Sequence, residues 1–457
     1  MKHEQTWENL CAFVTELLDK THIPGVAVGI LHKGEITAGG FGVTNVDHPL
    51  PVTADTLFQV GSITKTFVGT AIMRLVEMGK LDLDEPVRTY VPEFRVADEN
   101  ASARVTLRHL LTHMGGWDGD FFDDTGPGDD ALPLYVAKMA ELAQLAPVNT
   151  HLSYNNAGFS LAGYIIEVVT GQRFHEVMYE LVIDPLGLDY TFLDPYDVMT
   201  HRFVVGHNVS GVEAEVEQPW ALPRANWPAG AIVCHVKDLL RYAQFHLGDG
   251  STTSVTGEKI WLLSPESMAE MQQQHVQVWG TRGWGLSWAT GTVDGVYQVS
   301  HSGGTNGQTA LLILVPDHEF AVAILTNANQ GRKITRKVSQ WALREYLDIN
   351  DPDPTPIEST IDDLAQYVGF YSRPFVDIEL GMLNGKLVGQ MVVKLGFPIK
   401  DVPPTTQPPP FTLGRCEEDR LLVLDGPLQG NTFDMIRRAD GTIGWLREAS
   451  RICPRVD

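Results

Sequence analysis

Apolar residues near the start of the chain recur at spacings that predict helix, hairpin and helix in turn. A short amphipathic pattern at 10–18 predicts the first helix. Two apolar runs, 25–31 and 35–38, follow it and are separated by Lys33-Gly34, a dipeptide that favours a tight turn. These runs predict an antiparallel pair of strands. Between residues 66 and 81 the apolar positions return to helical spacing, which predicts a longer helix.

Helical spacing dominates the middle of the chain, and strand-like runs return after it. The predicted helices cover 107–113, 132–145, 156–170, 174–181, 236–247, 265–274 and 333–347. The predicted strands cover 296–301, 309–315 and 320–326, with Asp317-His318 at the turn between the last two. Strands at both ends flank a helical middle, which predicts an antiparallel sheet closed by segments that are distant in sequence.

A polar, proline-rich segment separates this large domain from a shorter module. Residues 351–358 begin Asp-Pro-Asp-Pro, a sequence that cannot continue a helix and is typical of a linker. Beyond it, short strand-like runs at 376–380, 386–392, 420–424 and 442–446 alternate with Gly, Asn, Asp and Pro turns. We therefore divide the chain into a large domain at 1–350, a linker at 351–358 and an all-β module at 359–457. The module is expected to be a small lipocalin-like barrel or a sandwich.

Charge and composition exclude several classes of partner. The formal net charge of -23 repels phosphate backbones and anionic lipids, so we expect no nucleic-acid and no membrane partner. The start lacks a basic segment followed by an apolar one, and no later run approaches the ~20 apolar residues of a membrane span. We therefore expect a cytoplasmic protein. Its scattered cysteines form no CxxC pair, which favours free thiols.

The first candidate for chemistry is the sequence Gly61-Ser62-Ile63-Thr64-Lys65, directly ahead of the helix predicted at 66–81. Positions i and i+3 of a helix are neighbours, so the Ser62 hydroxyl and the Lys65 amine can form a hydrogen bond. A desolvated lysine can accept the proton of a serine and activate it as a nucleophile. The helix start also offers backbone N–H groups to a developing oxyanion. Alone, this spacing also fits a helix cap followed by a surface lysine.

Two later segments add groups that such a nucleophile needs. In Tyr154-Asn155-Asn156, a tyrosine whose pKa is lowered by a nearby ammonium can act as a general base, and the Asn156 amide can bind a substrate carbonyl. The alternative is a helix start capped by Asn155 or Asn156. In His301-Ser302-Gly303-Gly304, the glycine pair permits close backbone approach to a ligand, although a bulge or turn would explain it equally well.

Together these three segments, in this order, match the S-x-x-K, Tyr-x-Asn and Lys/His-Ser/Thr-Gly motifs of the penicillin-recognising serine hydrolases. The first three-quarters of the chain resembles this β-lactamase-related family, which includes class C β-lactamases, DD-peptidases, D-aminopeptidases and esterases. Flanking stretches at 58–61 and 110–113 also resemble the family. The resemblance implies an α/β (α+β) fold of the serine β-lactamase and transpeptidase type. In that fold an antiparallel sheet is covered by helices and joined by a helical subdomain.

The resemblance also implies catalytic roles for particular residues. It makes Ser62 the nucleophile and Lys65 its proton acceptor or electrostatic partner. Tyr154 becomes the base toward Ser62 and the acid toward the leaving group, and His301 the residue that orients Tyr154. In this family the backbone N–H groups of Ser62 and Gly304 would form the oxyanion hole.

The resemblance to the family also implies residues that contact the substrate. At two places, however, the sequence departs from the family motifs. The resemblance assigns Asn156 and Gly303 to substrate binding. His301 stands where many β-lactamases have lysine, and Met114-Gly115-Gly116 replaces the usual Thr-Ser-Gly. Both departures weaken a β-lactamase assignment. The resemblance associates His301 with peptidases and esterases of the family. Our first hypothesis is a peptidase or aminopeptidase acting on short or D-residue-containing peptides through a Ser62 acyl-enzyme.

Other functions stay open at this stage. A carboxylesterase of the same family is the near alternative, and a catalytically silent binding or scaffold protein is the alternative from another class. We expect a small-molecule or short-peptide substrate, no metal and no cofactor. The β module could narrow the pocket or mediate assembly into a homo-oligomer.

Three further features are weighed as competing sites. Ser160 lies in a near match to G-x-S-x-G, but the final glycine is missing and the segment is helical. His109 and His113 have zinc-ligand spacing without the glutamate of H-E-x-x-H, so a packed helix end is favoured. The aspartates between 115 and 130 are typical of a solvated loop. A lid in which Asp118 and Asp120 attract a substrate amine is the functional alternative.

Overall fold

The chain forms two compact units, and the computed structural model describes residues 2–253, 257–404 and 407–456. The first unit comprises Met1–Leu83, Gly126–Leu132 and Phe159–Asp351. The second comprises Asp84–Thr125, Pro133–Gly158 and Pro352–Asp457. It thus combines the C-terminal module with helical segments that the sequence analysis placed in the large domain. The boundaries at 350 and 358 stay a prediction.

The helices follow the predicted order, and several end earlier than predicted. They are α1 (Lys2–Thr21), α2 (Thr64–Glu77), α3 (Glu99–Arg104), α4 (Leu107–Leu111), α5 (Ala131–Lys138), α6 (Asn156–Thr170), α7 (Phe174–Met178), α8 (Pro195–Val198), α9 (Trp227–Gly230), α10 (Val236–Leu247), α11 (Pro265–Gln272), α12 (Arg332–Leu347) and α13 (Ile361–Ala365). The helix predicted at 174–181 continues past α7 as a π-helical turn at Tyr179–Ile183. α4 stops before His113, whose positive φ of 59° cannot continue a right-handed helix.

The first unit is built around an antiparallel sheet. Its strands, with the short ones that precede them in the chain, are β1 (Gly25–His32), β2 (Glu35–Gly42), β3 (Phe58–Gln59), β4 (Thr191–Phe192), β5 (His207–Ser210), β6 (Glu213–Val216), β7 (Val233–Cys234), β8 (Ser251–Thr253), β9 (Lys259–Trp261), β10 (Val276–Trp279), β11 (Arg282–Trp284), β12 (Ala289–Val293), β13 (Val296–Thr305), β14 (Gln308–Val315) and β15 (Phe320–Thr326). The main sheet has the order β10-β11-β12-β13-β14-β15-β1-β2. β1 pairs with β15 in the register Val26↔Thr326, so segments from opposite ends of the unit close the sheet as predicted.

Both faces of this sheet are covered, which explains why β1 and β15 are almost continuously apolar. On one face, Val28 and Ile324 join Val14 of α1 and Val338 of α12 in one buried cluster. On the other face, α10 approaches closely. A Cβ on Gly29 would lie 2.6 Å from the Leu240 side chain, so only glycine fits there. The sheet is therefore a rigid base for residues at the ends of its strands.

The C-terminal module is a closed antiparallel barrel, one of the two predicted forms. Its strands are β16 (Gly369–Arg373), β17 (Val376–Leu383), β18 (Lys386–Val393), β19 (Phe411–Glu417), β20 (Arg420–Val423), β21 (Thr432–Arg437), β22 (Ile443–Glu448) and β23 (Arg451–Val456). The barrel closes where β16 pairs with β23. Buried and less buried positions alternate along β17 and β18, since every second side chain points into the barrel core.

A search of the described residues finds no helix that is both long enough and apolar enough to cross a lipid bilayer.

Candidate active site

Ser62 lies in a tight turn that leads directly into α2. Gly61–Ile63 forms a single 3-10 turn, and α2 begins at Thr64. Gly61 has a φ of +54°, and a Cβ there would lie 2.6 Å from the Gly304 nitrogen. Glycine is therefore required at position 61 both by its backbone conformation and by its neighbour. The turn leaves the Ser62 side chain half-buried at the start of the helix.

Lys65 is a buried residue and not the surface lysine of the alternative interpretation. Its side chain is 0% exposed, and Nζ donates hydrogen bonds to Ser62 Oγ at 3.0 Å and to the Ala229 carbonyl oxygen at 2.6 Å. Nζ also lies 5.5 Å from the centre of the Phe159 ring. An amine held among these groups has lost most of its water. The Ser62 hydroxyl and the Lys65 amine thus form a preorganised pair within the first unit.

The end of β13 packs against the backbone of this turn. A Cβ on Gly303 would lie 1.8 Å from the Val60 carbonyl oxygen and 3.0 Å from the Ser62 nitrogen. Close approach of two backbones, and not a β-bulge, is therefore the reason for glycine at 303. Since side chains alternate along a strand, His301 lies on the same face of β13 as Gly303.

His301 is buried beside a positive charge. Burial, with a contribution from the Lys65 ammonium, lowers the pKa of His301 to about 3. Its Nδ1 lies 2.6 Å from the Ser302 carbonyl oxygen, and its ring meets Trp284 edge to face at 5.7 Å between centroids. The imidazole is therefore neutral at neutral pH, and it has the character of a fixed polar group rather than of a cation.

The tyrosine motif lies in the second unit, at the entry to α6. Asn155 Oδ1 accepts a hydrogen bond from the Gly158 N–H at 2.7 Å, so Asn155 is the residue that caps α6. The Asn155 N–H donates to His113 Nδ1 at 3.0 Å, and the His113 ring lies 4.2 Å from the Tyr154 ring between centroids. With Asn155 as the cap, the Asn156 side chain makes a different contact.

That contact is with Asp120, in the aspartate-rich segment. Asn156 Nδ2 donates to Asp120 Oδ1 at 3.0 Å, and Asp118 and Asp120 are each only 4% exposed. The solvated loop predicted for these carboxylates is therefore wrong. Burial and the neighbouring Asp120 charge raise the pKa of Asp118 to about 6, whereas Arg451 and Arg373 hold the pKa of Asp120 below its usual value despite burial. Recognition of a substrate amine by this pair stays a prediction.

The predicted site residues fall into two groups. Within the first unit, the backbones of Ser62, Gly303 and Gly304 lie together, and Lys65 contacts Ser62. Within the second unit, Tyr154 and Asn156 lie on one short segment, with Asp120 against it. The oxyanion hole and the orientation of Tyr154 by His301 stay predictions.

The structure places the competing candidates in a helix capping box and inside a helix. His109 Nδ1 accepts a hydrogen bond from the Thr106 N–H at 3.1 Å, as part of the capping box of α4. Ser160 lies inside α6 and is buried. In the described ranges, no group of three or more His, Cys, Asp or Glu side chains is arranged to hold a metal ion.

Sequence analysis missed two arginines of the barrel that belong to the second group. Arg373 Nη1 donates to Asp120 Oδ2 at 2.8 Å, and Arg451 Nε lies 2.7 Å from the same oxygen. Long-range pairs of this kind leave no local pattern. One local signal exists, in the turn before Arg451. Ala449 and Ser450 form this hairpin turn with positive φ, where glycine or asparagine is the usual residue.

Comparison with known proteins decides the family. A family model described as Beta-lactamase matches residues 10–345 of the chain. The chain belongs to the β-lactamase family. This family is one of serine hydrolases, and the resemblance inferred from the three motifs is confirmed.

Relatives within the β-lactamase family differ in their reported roles. "Penicillin-binding protein 4" of Amycolatopsis lactamdurans is 33% identical over 361 residues, which are 77% of this chain and 94% of the relative. "Unguisins hydrolase ungD'" of Aspergillus campestris (strain IBT 28561) is 28% identical over 342 residues, which are 70% of this chain but only 61% of the relative.

Solved structures confirm the fold over the whole chain. The crystal structure of SurE matches with a TM-score of 0.76 and 24% identity, and the match covers 100% of both chains. The barrel is included in this match. The predicted fold class, a β-lactamase-type sheet with helices and a C-terminal β barrel, is therefore confirmed.

Proposed function

We propose that this protein hydrolyses an amide bond of a short or D-residue-containing peptide through an acyl-enzyme on Ser62. The observation that carries the proposal is the buried Lys65 amine, whose Nζ donates to Ser62 Oγ at 3.0 Å. A buried lysine that was only structural would be costly, because desolvation of an ammonium is unfavourable. Its direct contact with a hydroxyl at a helix start is the arrangement that activates a nucleophile.

The reaction has two half-steps. Ser62 Oγ attacks the substrate carbonyl carbon while Lys65 or Tyr154 accepts its proton, and the developing oxyanion is stabilised by backbone N–H groups. The C–N bond then breaks, the proton is delivered to the leaving amine, and an ester to Ser62 remains. Water hydrolyses this ester, releasing the acid and restoring the hydroxyl. In this scheme Asn156 and Gly303 contact the substrate amide.

A neutral His301 supports hydrolysis of amide substrates that have no carboxylate to bind at this position. Because the pKa of His301 is lowered to about 3, this position adds no positive charge at neutral pH. A β-lactamase with lysine there would have a cation for the substrate carboxylate. The chain therefore lacks that attraction at position 301, which favours amides without a carboxylate next to the scissile bond over β-lactams.

Two relatives suggest which amides to test. One is named a hydrolase of unguisins, and SurE has been crystallised with D-Leu. The test is a substrate panel that compares kcat/KM for D-alanine p-nitroanilide, L-alanine p-nitroanilide, p-nitrophenyl acetate and nitrocefin, with Ser62→Ala as the control. The proposal expects D-amide turnover that exceeds L-amide turnover and vanishes in Ser62→Ala. Turnover of the ester with no amide hydrolysed would favour a carboxylesterase, and no turnover at all would favour a binding protein.

A further inference from the structure

A buried ion cluster in the second unit joins the barrel to the segment that carries Tyr154 and Asn156. Its centre is Asp120, whose two carboxylate oxygens have different partners. Oδ1 accepts from Asn156 Nδ2 at 3.0 Å, while Oδ2 accepts from Arg373 Nη1 at 2.8 Å and lies 2.7 Å from Arg451 Nε. Asp120 thus connects a proposed substrate-binding amide to two barrel strands, β16 and β23.

Asp120 determines which way the Asn156 amide faces. An ionised carboxylate can only accept hydrogen bonds, so the NH₂ group of Asn156 and not its oxygen must face Asp120. The arginines keep Asp120 ionised, because they lower its pKa although it is buried. The orientation of the amide therefore depends on charges that the barrel supplies.

The turn between β22 and β23 makes a second connection, to Tyr154 itself. The Tyr154 N–H donates to the Ser450 carbonyl oxygen at 2.7 Å, and the Ile452 N–H donates to Ser153 Oγ at 3.3 Å. The Arg451 guanidinium lies over the Tyr154 ring, 4.8 Å from its centre. Both the backbone and the ring of Tyr154 are thus held by one hairpin.

This hairpin has a strained turn. Ala449 and Ser450 have φ values of 45° and 66°, a conformation that costs about 1 kcal/mol or more for residues other than glycine. The Ser450 carbonyl of this turn accepts the hydrogen bond of the Tyr154 N–H, and Arg451, the next residue, contacts both the Tyr154 ring and Asp120. Strain of this kind persists where the geometry of neighbouring groups requires it.

We propose that Arg451 is a positioning residue for the hydrolase reaction, acting through the ring of Tyr154 and through Asp120 and the Asn156 amide. The barrel in this sense holds the segment that carries Tyr154 and Asn156 and is not an appended module. Arg451 itself takes no part in bond making or breaking. The proposal rests on the proposed function, since it assumes that Tyr154 serves Ser62.

The test uses the full-length protein and the rate at which a fluorophosphonate probe labels Ser62. The probe forms a phosphorus–oxygen bond to Ser62 with loss of fluoride, so its maximal rate reports activation of the hydroxyl and its half-saturating concentration reports binding. We expect Arg451→Ala to lower the maximal rate by about 100-fold, the effect of misplacing a reacting group by roughly 1 Å. The half-saturating concentration should change by less than about 3-fold, because a positioning role acts on the chemical step.

Two variants control for stability and for charge. Arg437→Ala removes another barrel arginine, which pairs with Asp419 and has no contact to the Tyr154 segment among the pairs that the structure describes. It should label at the wild-type rate even where its melting temperature falls. Arg451→Lys keeps the positive charge but replaces the planar guanidinium group by an ammonium. It should therefore recover part of the labelling rate that Arg451→Ala loses. If Arg451→Ala does not fold, the labelling rates of Arg451→Lys and Arg437→Lys are compared instead.

The outcomes separate this proposal from the function on which it rests. A wild-type protein that is not labelled contradicts the Ser62 acyl-enzyme, and the positioning role falls with it. If the wild type is labelled and Arg451→Ala is labelled at the same maximal rate as Arg437→Ala, the Ser62 acyl-enzyme still stands. The positioning role of Arg451 is then overturned.

Discussion

Lys65 donates a hydrogen bond of 3.0 Å to Ser62 across one turn at the start of α2, and its amine is fully buried. Replacing it by methionine keeps an unbranched apolar side chain that reaches as far as Cε but removes the amine. We predict that Lys65→Met lowers kcat by about 100- to 10,000-fold, the usual contribution of a positioned acid–base group. Steady-state kinetics with the best substrate of the panel will measure this.

The matched control is Lys80→Met, at an exposed lysine just beyond the same helix. It should retain wild-type kcat. If Lys65→Met retained kcat as well, the amine would be a structural group and the activation of Ser62 would need another base.

Gly303 provides a test of the contact between β13 and the turn that carries Ser62. A Cβ at 303 would lie 1.8 Å from the Val60 carbonyl oxygen, which forces the turn that carries Ser62 to move. We predict that Gly303→Ala lowers kcat/KM by at least about 100-fold, since small displacements of a nucleophile have effects of this size. Gly291→Ala is the control, because a Cβ there meets its nearest neighbour at 3.6 Å, an ordinary contact. Equal activity of the two variants would show that the turn does not depend on β13.

The neutral state of His301 predicts how stability changes with pH. Its pKa is about 3 in the folded protein and 6.5 as the reference value, so between these pH values the unfolded chain binds more protons. The contribution of His301 to the free energy of unfolding is therefore fully present above pH 6.5 and is lost as the pH falls toward 3. At pH 4 the loss is on the order of 3 kcal/mol.

Urea unfolding at pH 4 and pH 7 measures this effect. His301→Gln cannot be protonated, so the difference in unfolding free energy between the two pH values should be smaller in the variant than in the wild type. An identical difference in both proteins would mean that His301 titrates normally in the folded state.

Asp118 and Asp120 are neighbours with opposite predicted effects on stability. The pKa of Asp118 rises from 3.8 to about 6, so its ionisation opposes folding above pH 6. Asp118→Asn should therefore raise the free energy of unfolding at pH 8, by about 1–3 kcal/mol. Asp120→Asn breaks the pairs with Arg373 and Arg451 and should lower it, by about 3–5 kcal/mol.

Chemical denaturation at pH 4.5 and pH 8 checks whether each variant raises or lowers the free energy of unfolding as predicted. The gain from Asp118→Asn should shrink at pH 4.5, where the native carboxyl is already protonated. A loss of stability in Asp118→Asn at pH 8 would contradict the raised pKa. The same two variants also test amine recognition, which requires that they change selectivity for substrates bearing an amine.

Local sequence pattern was enough to predict the elements that hold Ser62. The spacing of Ser62 and Lys65 depends only on helix geometry, and the turn at Lys33-Gly34 only on backbone conformation, with both residues at positive φ. Apolar runs in β1 and β15 predicted that distant segments meet in one sheet, because strands covered on both faces need continuous hydrophobicity.

Contacts between distant polar residues could not be predicted. Arg373 and Asp120 are 253 positions apart, and neither lies in a pattern that indicates the other. The aspartate-rich segment was predicted to be solvated because charge density is the only local signal there. Burial of Asp118 and Asp120 depends on arginines contributed by barrel strands, a tertiary property that periodicity does not encode.

The central claim is that Ser62 is the nucleophile of an acyl-enzyme, and intact-protein mass spectrometry tests it most directly. The protein is incubated with a fluorophosphonate probe, and peptide mapping locates the adduct. The structure predicts one stoichiometric adduct on Ser62, absent in Ser62→Ala and present in Ser160→Ala. A wild-type protein without an adduct, or an adduct that persists in Ser62→Ala, would contradict the claim.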